Sequence, residues 1–123
     1  MGGYVSVRGW LEINHEQREP AQRIIDAQGD DLYAGGWAFP NRPFNWSLYL
    51  FYGGDIREQG VGWLREQVGV LARMPPVDDD GDMPAGFFLL DHEDGTSWGW
   101  TVRDGRVTDG PTPAELRWFA GRP

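Results

Sequence analysis

Two histidines, His15 and His92, are the side chains of this sequence best suited to acid–base chemistry near neutral pH. His92 stands between Asp91 and Glu93 where a predicted strand ends, so a catalytic interpretation makes it a base oriented by a carboxylate. Because neighbouring residues of a strand point to opposite faces, both carboxylates cannot easily serve the same ring. The pattern therefore favours a polar turn, and we expect a protein without enzymatic activity.

The densest group of potential metal ligands is a run of aspartates in a predicted acidic loop, residues 77–84. Its members are Asp78, Asp79, Asp80 and Asp82. The first, third and fourth of them match positions 1, 3 and 5 of a calcium-binding loop. The pattern fails where Met83 replaces the required glycine and where Leu89 replaces the bidentate glutamate. We therefore predict a solvated loop and no bound metal.

Cofactor chemistry has equally little support in the sequence. The chain has no cysteine, which excludes disulfides, thiolate nucleophiles and iron–sulfur clusters and fits a reducing compartment. It lacks the full glycine fingerprint of dinucleotide-binding loops and the lysine of a phosphate-binding loop, so we expect no cofactor. We see no signal-peptide pattern and no apolar run long enough to cross a membrane, so we expect a cytoplasmic location.

Charge is the strongest bias in the composition, because 19 acidic residues outweigh 11 basic ones and give a formal net charge of -8. Polyphosphate surfaces repel such a chain, so binding to nucleic acid or to an anionic membrane is disfavoured. The same charge attracts a basic partner and speeds the encounter. Two interpretations stay open: a surface that only keeps the protein in solution, and a surface that recognises a basic polypeptide.

Hydrophobic periodicity predicts a single α+β domain over residues 1–123. The predicted order is strand 4–13, helix 19–28, strands 32–39 and 46–52, a helix from 58 or 60 to 73, strand 87–90, and strands 97–103 and 106–108. Gly53 and Gly54 are expected to end the third of these strands. The order is typical of a ferredoxin-like split βαβ sheet with two helices on one face, followed by a C-terminal β-hairpin extension.

Tryptophan is over-represented, and most of the seven tryptophans are expected to pack in the core of a small sheet. Trp98 and Trp100 share one side of a predicted strand. If that side is the sheet face without helices, the two indoles form an exposed platform for a protein partner or a small ligand. In the alternative arrangement, the C-terminal segment covers this face through Trp118 and Phe119. Trp10 falls on the polar side of the first strand and must pack against another group there.

Four stretches of the chain, in order, carry a resemblance to a known family. They are residues 4–11 with a Gly-Trp pair, the loop Asn41-Arg42, residues 86–94 with an acidic turn after a buried strand, and residues 98–106. Over most of its length the chain resembles the seventh family of immunity proteins from bacterial polymorphic toxin systems. The loop of that family carries Asn-His-Arg, and the histidine is absent here.

This resemblance implies a small cytoplasmic protein that neutralises a cognate toxin by tight binding, without chemistry of its own. An inhibitor of a basic toxin benefits from carboxylates that mimic phosphates and from aromatic anchors. The predicted partner-binding residues are Asp78, Asp79, Asp80, Asp82, Asp91, Glu93, Asp94, Trp98, Trp100, Asn41 and Arg42. The alternative function is a small-molecule-binding or regulatory domain that uses the tryptophan-lined sheet face.

Overall fold

The computed structural model describes residues 3–27, 31–42 and 46–120. Within them the chain forms an open, six-stranded antiparallel sheet and two main helices, which confirms the predicted α+β class. The strands are β1 (Tyr4–Asn14), β2 (Trp37–Ala38), β3 (Ser47–Arg57), β4 (Ala85–His92), β5 (Ser97–Arg103) and β6 (Arg106–Pro111). The main helices are α1 (Arg18–Ala27) and α3 (Val61–Ala72), and α2 (Asp31–Ala34) is a single helical turn. Short 3₁₀ segments lie at His15–Gln17, Glu58–Gly60 and Ala114–Leu116.

The strands lie side by side in the order β2-β3-β1-β4-β5-β6, which puts the N-terminal strand inside the sheet. β1 pairs along its whole length with β3 and along most of it with β4. β5 and β6 are antiparallel neighbours joined at Asp104 and Gly105, both of which adopt a positive φ. Positive φ at both central residues is the geometry of the tight turns that match the twist of the strands they join.

The sheet has one face that packs on helices and one that does not. Val5, Val7, Leu11 and Ile13 of β1 are buried, as their spacing in the sequence predicts. α1 and α3 pack on the face that these residues share. The alternate residues Ser6, Arg8, Trp10 and Glu12 point to the opposite face, which we call the open face.

The two main helices form the second layer of the core. Ala21 and Ile25 of α1 and Leu64 and Val68 of α3 are buried among the inner side chains of the strands. Their helical spacing predicts this face, so the predicted helices are confirmed within the described residues. Gln28, the predicted end of the first helix, lies outside the described residues.

Arg65 ties α3 to the outermost strand, β6. Its Nε donates a hydrogen bond to Oδ1 of Asp109 at 2.8 Å, and its Nη2 donates to the carbonyl oxygen of Val107 at 3.0 Å. A guanidinium that donates to a carboxylate and a carbonyl at once makes strong, well-oriented bonds. The side chain therefore joins the second layer to the edge of the sheet.

Residues 32–39 do not form the predicted strand, because most of the segment is the helical turn α2 and its continuation into the two-residue strand β2. The hydroxyl of Tyr52 on β3 donates to the carbonyl oxygen of Tyr33 at 2.7 Å. A Cβ on Gly36 would lie 2.7 Å from the Tyr52 ring, so glycine is what lets the segment come this close. The segment is held on β3 by these side-chain contacts, by the backbone N–H of Gly53, which donates to the carbonyl oxygen of Gly36 at 3.1 Å, and by a ladder of only two residue pairs.

β3 continues through the glycines that are predicted to end it. Gly53 and Gly54 pair with Arg8 and Val7 of β1, and the ladder runs on to Arg57. Glycine has a low strand propensity, but a long neighbouring strand supplies hydrogen-bond partners that outweigh it. The prediction was wrong because the strand propensity of a residue gives no information about the length of the strand with which it pairs.

Candidate functional site

The two tryptophans predicted to form an exposed platform face the helices instead. Trp100 lies opposite Phe88 of β4, and both side chains are 0% exposed. Trp98, two residues away on the same side, is partly buried against the same core. The predicted platform is therefore wrong, and the tryptophan-lined wall of a small-molecule site is lost with it. The sequence places the two indoles on one side of β5, but only pairing with β4 decides which face that is.

A different set of aromatic side chains lies on the open face. Trp10 stands between Phe51 of β3 and Phe87 of β4 in the sheet register, and its ring centroid is 6.3 Å from that of Phe87. Tyr49 stacks beside Phe51 with ring centroids 6.2 Å apart. We call these four residues the aromatic cluster. Trp10 is 41% exposed and Phe51 is 47% exposed, so the cluster presents ring surface to solvent.

One glycine makes room for a ring of this cluster, and a second sets the spacing of the strands that carry it. A Cβ on Gly99 of β5 would lie 2.7 Å from the Phe87 ring, so that ring rests over bare backbone. A Cβ on Gly86 would lie 1.9 Å from the carbonyl oxygen of Trp10, so a larger residue forces β4 away from β1. The signal in the sequence is Trp10 among polar positions, whereas Phe51 and Phe87 are hidden in apolar runs.

The acidic loop, residues 77–84, leads into β4, and its four aspartates are exposed. Asp78, Asp80 and Asp82 each have a carboxylate oxygen within 4.8 Å of the others. Asn14 at the end of β1 donates a hydrogen bond of 3.4 Å to Asp78, which anchors one end of the loop. Because exposed acidic groups at this spacing are common without an ion, we assign no metal to them.

A groove of about 580 Å³ lies between the acidic loop and the aromatic cluster. Trp10 and Phe87 line it from the sheet, and Glu12 and Asp82 contribute carboxylates. We call this cavity the acidic–aromatic groove. A second cavity of about 560 Å³ on the loop is also lined by Glu12 and Asp82, with Trp46 as its aromatic wall. Trp46 is 81% exposed, so an indole adjoins carboxylates in both cavities.

The second predicted acidic group, Asp91, Glu93 and Asp94, lies at the other end of β4. A carboxylate oxygen of Asp91 is 3.9 Å from the guanidinium of Arg8. Glu93 accepts the first backbone N–H of β1 at 3.2 Å, and Asp94 accepts the N–H and the hydroxyl of Thr96 at 2.9 and 2.7 Å. Residues 85–90 of β4 separate this group from the acidic loop, so the structure does not bring the predicted carboxylates together.

His92 connects the same turn to the segment before α3. Its Nε2 lies 2.6 Å from Oε2 of Glu58, and its Nδ1 accepts the backbone N–H of Asp94 at 3.0 Å. The hydrogen bond to Glu58 raises the pKa of His92 above its ordinary value, with a further contribution from the charge of Asp94. The hydroxyl of Thr96 lowers the pKa of Asp94. Both ring nitrogens of His92 therefore have partners within the molecule.

The C-terminal segment covers part of the open face. The ring of Phe119 lies over the guanidinium of Arg8, with 4.5 Å between the guanidinium carbon and the ring centroid. Leu89, which neighbours Arg8 on the open face, is only 4% exposed. The C-terminal segment was expected to cover the face that carries Trp98 and Trp100, but Phe119 lies on the opposite face beside Arg8, whereas Trp118 is exposed and Trp10 stays open to solvent.

Asn41 and Arg42 lie in an exposed bend after β2. Neither residue lines the acidic–aromatic groove or the second cavity. Their contact with a partner stays a prediction that rests on the resemblance alone.

Comparison with protein-family models, with curated proteins and with solved structures gives no match for this chain. Among the described residues, no helix combines the length and the apolar character needed to cross a membrane. The geometry and charge of the acidic–aromatic groove are therefore the observations from which a function can be inferred.

Proposed function

We propose that this chain is a non-enzymatic binding protein of the immunity type, which neutralises a basic toxin domain by tight protein–protein binding. The observation that carries the proposal is the acidic–aromatic groove, where exposed ring surface adjoins exposed carboxylates. Rings and carboxylates together suit a partner surface that is both apolar and positively charged.

The aromatic cluster supplies the centre of such an interface. Protein–protein contacts take most of their binding free energy from a few large side chains that become desolvated. Trp10 suits this role because it is 41% exposed but already packs against the ring of Phe87, with Phe51 opposite it in the sheet register. A side chain that is fixed before binding loses little conformational entropy when the partner arrives.

The acidic loop supplies selectivity for a basic partner. Its four aspartates are exposed, and the whole chain carries a formal charge of -8. Such a field accelerates association with a cationic protein and disfavours nucleic acid. Asp78, Asp79, Asp80 and Asp82 are therefore the predicted carboxylates that we retain for partner contact.

The finer fold assignment and the site of action belong to the same proposal. The strand order β2-β3-β1-β4, with α1 and α3 on one face, supports a ferredoxin-like core that β5 and β6 extend as a hairpin. A cytoplasmic location follows from the immunity role, because the cell that makes a toxin needs protection where the toxin is made. The resemblance of the sequence supports this assignment.

Inhibition of an isolated partner tests the proposal. The chain is immobilised at low salt, bound proteins of the native host are identified, and the activity of each is measured against increasing amounts of the chain. We expect a basic protein whose activity is lost at equimolar inhibitor. The double variant W10A/D82N should restore that activity, since it removes one ring and one carboxylate from the groove.

The matched control is W118A/E115Q, which removes an exposed indole and an exposed carboxylate from the C-terminal segment. This control should inhibit like the wild type. A captured protein whose activity is unaffected by an excess of the chain is not a cognate toxin. If no captured protein is inhibited, the immunity proposal is wrong.

A further inference from the structure

We infer that the acidic–aromatic groove receives an arginine side chain of the partner, so that the partner's contact segment carries arginine at its centre. This inference rests on the proposed function and specifies the partner group that the site recognises. The groove is expected to prefer a guanidinium over other basic groups because it combines ring surface with carboxylates.

The floor of the groove offers flat apolar surface. Trp10 and Phe87 line it, their planes inclined by 58° to each other. A guanidinium is planar and weakly hydrated, and it stacks on aromatic faces more readily than an ammonium group does. The groove therefore favours a cation that can lie flat against a ring.

The remaining lining supplies acceptors for a donor with several N–H groups. Glu12, Asp82 and Asp104 contribute carboxylates, and Arg103 contributes the opposing positive charge. Arg103 lies 3.9 Å from Asp104, and both are exposed, so this pair contributes little net field. Asp82 and Glu12, one oxygen of which also accepts the hydroxyl of Ser47 at 3.0 Å, are left as the carboxylates that a guanidinium can contact from the ring surface.

The size of the groove suits a side chain. Its volume of about 580 Å³ falls in the range of cavities that hold small organic groups. Trp10 and Phe87 of its lining lie on the open face, and Phe119 is not among its lining residues.

The same pairing of arginine and aromatic ring occurs within this chain. Arg8 lies over Phe119 at 4.5 Å, and Arg57 lies over Tyr4 at 5.2 Å on the same open face. These contacts are made at the protein surface, where cation–π pairs of this geometry are favourable. Trp10 is exposed and has no such cation among the described residues.

Titration of the isotopically labelled full chain with three blocked peptides tests the inference. The peptides are identical except for a central arginine, lysine or citrulline, the last being a neutral analogue of arginine. We expect the arginine peptide to shift the indole N–H resonance of Trp10 and the amide of Gly86. Its affinity should exceed that of the lysine peptide about threefold and that of the citrulline peptide about tenfold.

Two variants and one control locate the contact. W10A should lose the arginine preference, and E12Q/D82N should weaken the arginine peptide about fivefold while retaining folded dispersion of the spectrum. W118A should bind like the wild type. Equal affinity for arginine and citrulline, or shifts that map away from Trp10 and Gly86, would overturn the inference.

Failure of this inference differs from failure of the proposed function. If an isolated basic partner is inhibited but the W10A/D82N variant inhibits equally well, the immunity function stands and the arginine assignment is wrong. If the arginine peptide binds as expected but no host protein is inhibited, the groove assignment stands and the immunity function is wrong.

Discussion

The two acidic groups of this protein have the same residue types but occupy opposite ends of β4 in different environments. Asp94 accepts two hydrogen bonds from Thr96, and Glu93 accepts one from the first backbone N–H of β1. In the loop 77–84, Asp79, Asp80 and Asp82 are exposed and Asp82 borders the acidic–aromatic groove, whereas Asp78 accepts hydrogen bonds from Asn14 and from the backbone N–H of Gly81. A carboxylate is available to a partner only where internal donors have not engaged it, so the number of acidic residues does not identify a binding surface.

The largest expected effect concerns the end of β4 beside the acidic loop. In Gly86→Ala, the new methyl group meets the carbonyl oxygen of Trp10, so β1 and β4 must separate. We expect the free energy of unfolding to fall by about 2–3 kcal/mol, measured by urea denaturation. Gly110→Ala is the control, since a Cβ there has no atom within 4 Å, and it should change stability by less than about 0.5 kcal/mol. Equal effects of the two variants would contradict the proposed close approach.

The second prediction compares the two acidic groups at equal change of charge. D79N/D80N/D82N removes three charges from the loop, and D91N/E93Q/D94N removes three from the turn. We expect the loop variant to bind oligoarginine about tenfold more weakly at low salt, with its unfolding midpoint unchanged. We expect the turn variant to unfold at a lower denaturant concentration, because the acceptors of Thr96 and β1 are weakened.

Calorimetric titration and urea denaturation of both variants provide the measurements. Binding that falls equally in the two variants would mean that net charge alone attracts the peptide. In that case the distinction between the two ends of β4 has no functional meaning.

The third prediction uses the raised pKa of His92 at the turn end. The protonated ring is favoured in the folded state by Glu58 and Asp94, with Glu93 also contributing, so its stabilising effect is complete below the unfolded pKa of 6.5. That effect is lost as the pH rises through the higher folded pKa. We expect the wild type to lose stability above pH 6.5, and His92→Gln to show a flatter profile across the same window.

Urea denaturation at a series of pH values checks this profile, with Glu58→Gln as a second variant. Removing the charge of Glu58 should bring the pKa of His92 in the folded state closer to its ordinary value. The pH range over which the wild type loses stability should therefore become narrower in this variant. If the stability of the wild type instead rises with pH in this window, protonation of His92 does not stabilise the folded state and the prediction is wrong.

The smallest expected effect belongs to Trp46 beside the second cavity. Its side chain is 81% exposed, so Trp46→Ala should change the free energy of unfolding by less than about 0.5 kcal/mol. We expect oligoarginine binding to weaken about twofold, since the ring contributes a cation–π surface without a fixed neighbour. A larger loss than that of W10A would move the centre of the site from the acidic–aromatic groove to the second cavity.

Sequence reasoning recovered the features that local pattern determines. The alternation of β1 predicts both of its faces and sets Trp10 apart from the buried positions. The carboxylates of the loop 77–84 and those from Asp91 onward were nevertheless assigned to one partner-binding set, although β4 lies between them. Strands are extended, so residues at opposite ends of one strand cannot form one patch.

The errors arose where a distant partner decides the outcome. Trp98 and Trp100 share a side by local geometry, but pairing with Phe88 of β4 turns that side toward the helices. Gly53 and Gly54 stay in β3 because β1 is long enough to pair with them. The aromatic cluster was missed for the same reason, because its rings come from three strands and no single stretch of sequence contains them all.

The contact between Arg65 and β6 has a consequence for self-association. The last strand of an open sheet tends to recruit strands from other molecules, which leads to oligomers and aggregates. Here a guanidinium from α3 already holds the carbonyl oxygen of Val107, and Pro111 ends the strand without an N–H to donate. An incoming strand therefore meets one carbonyl oxygen that is already engaged and one residue without an N–H, and both features disfavour pairing at this edge.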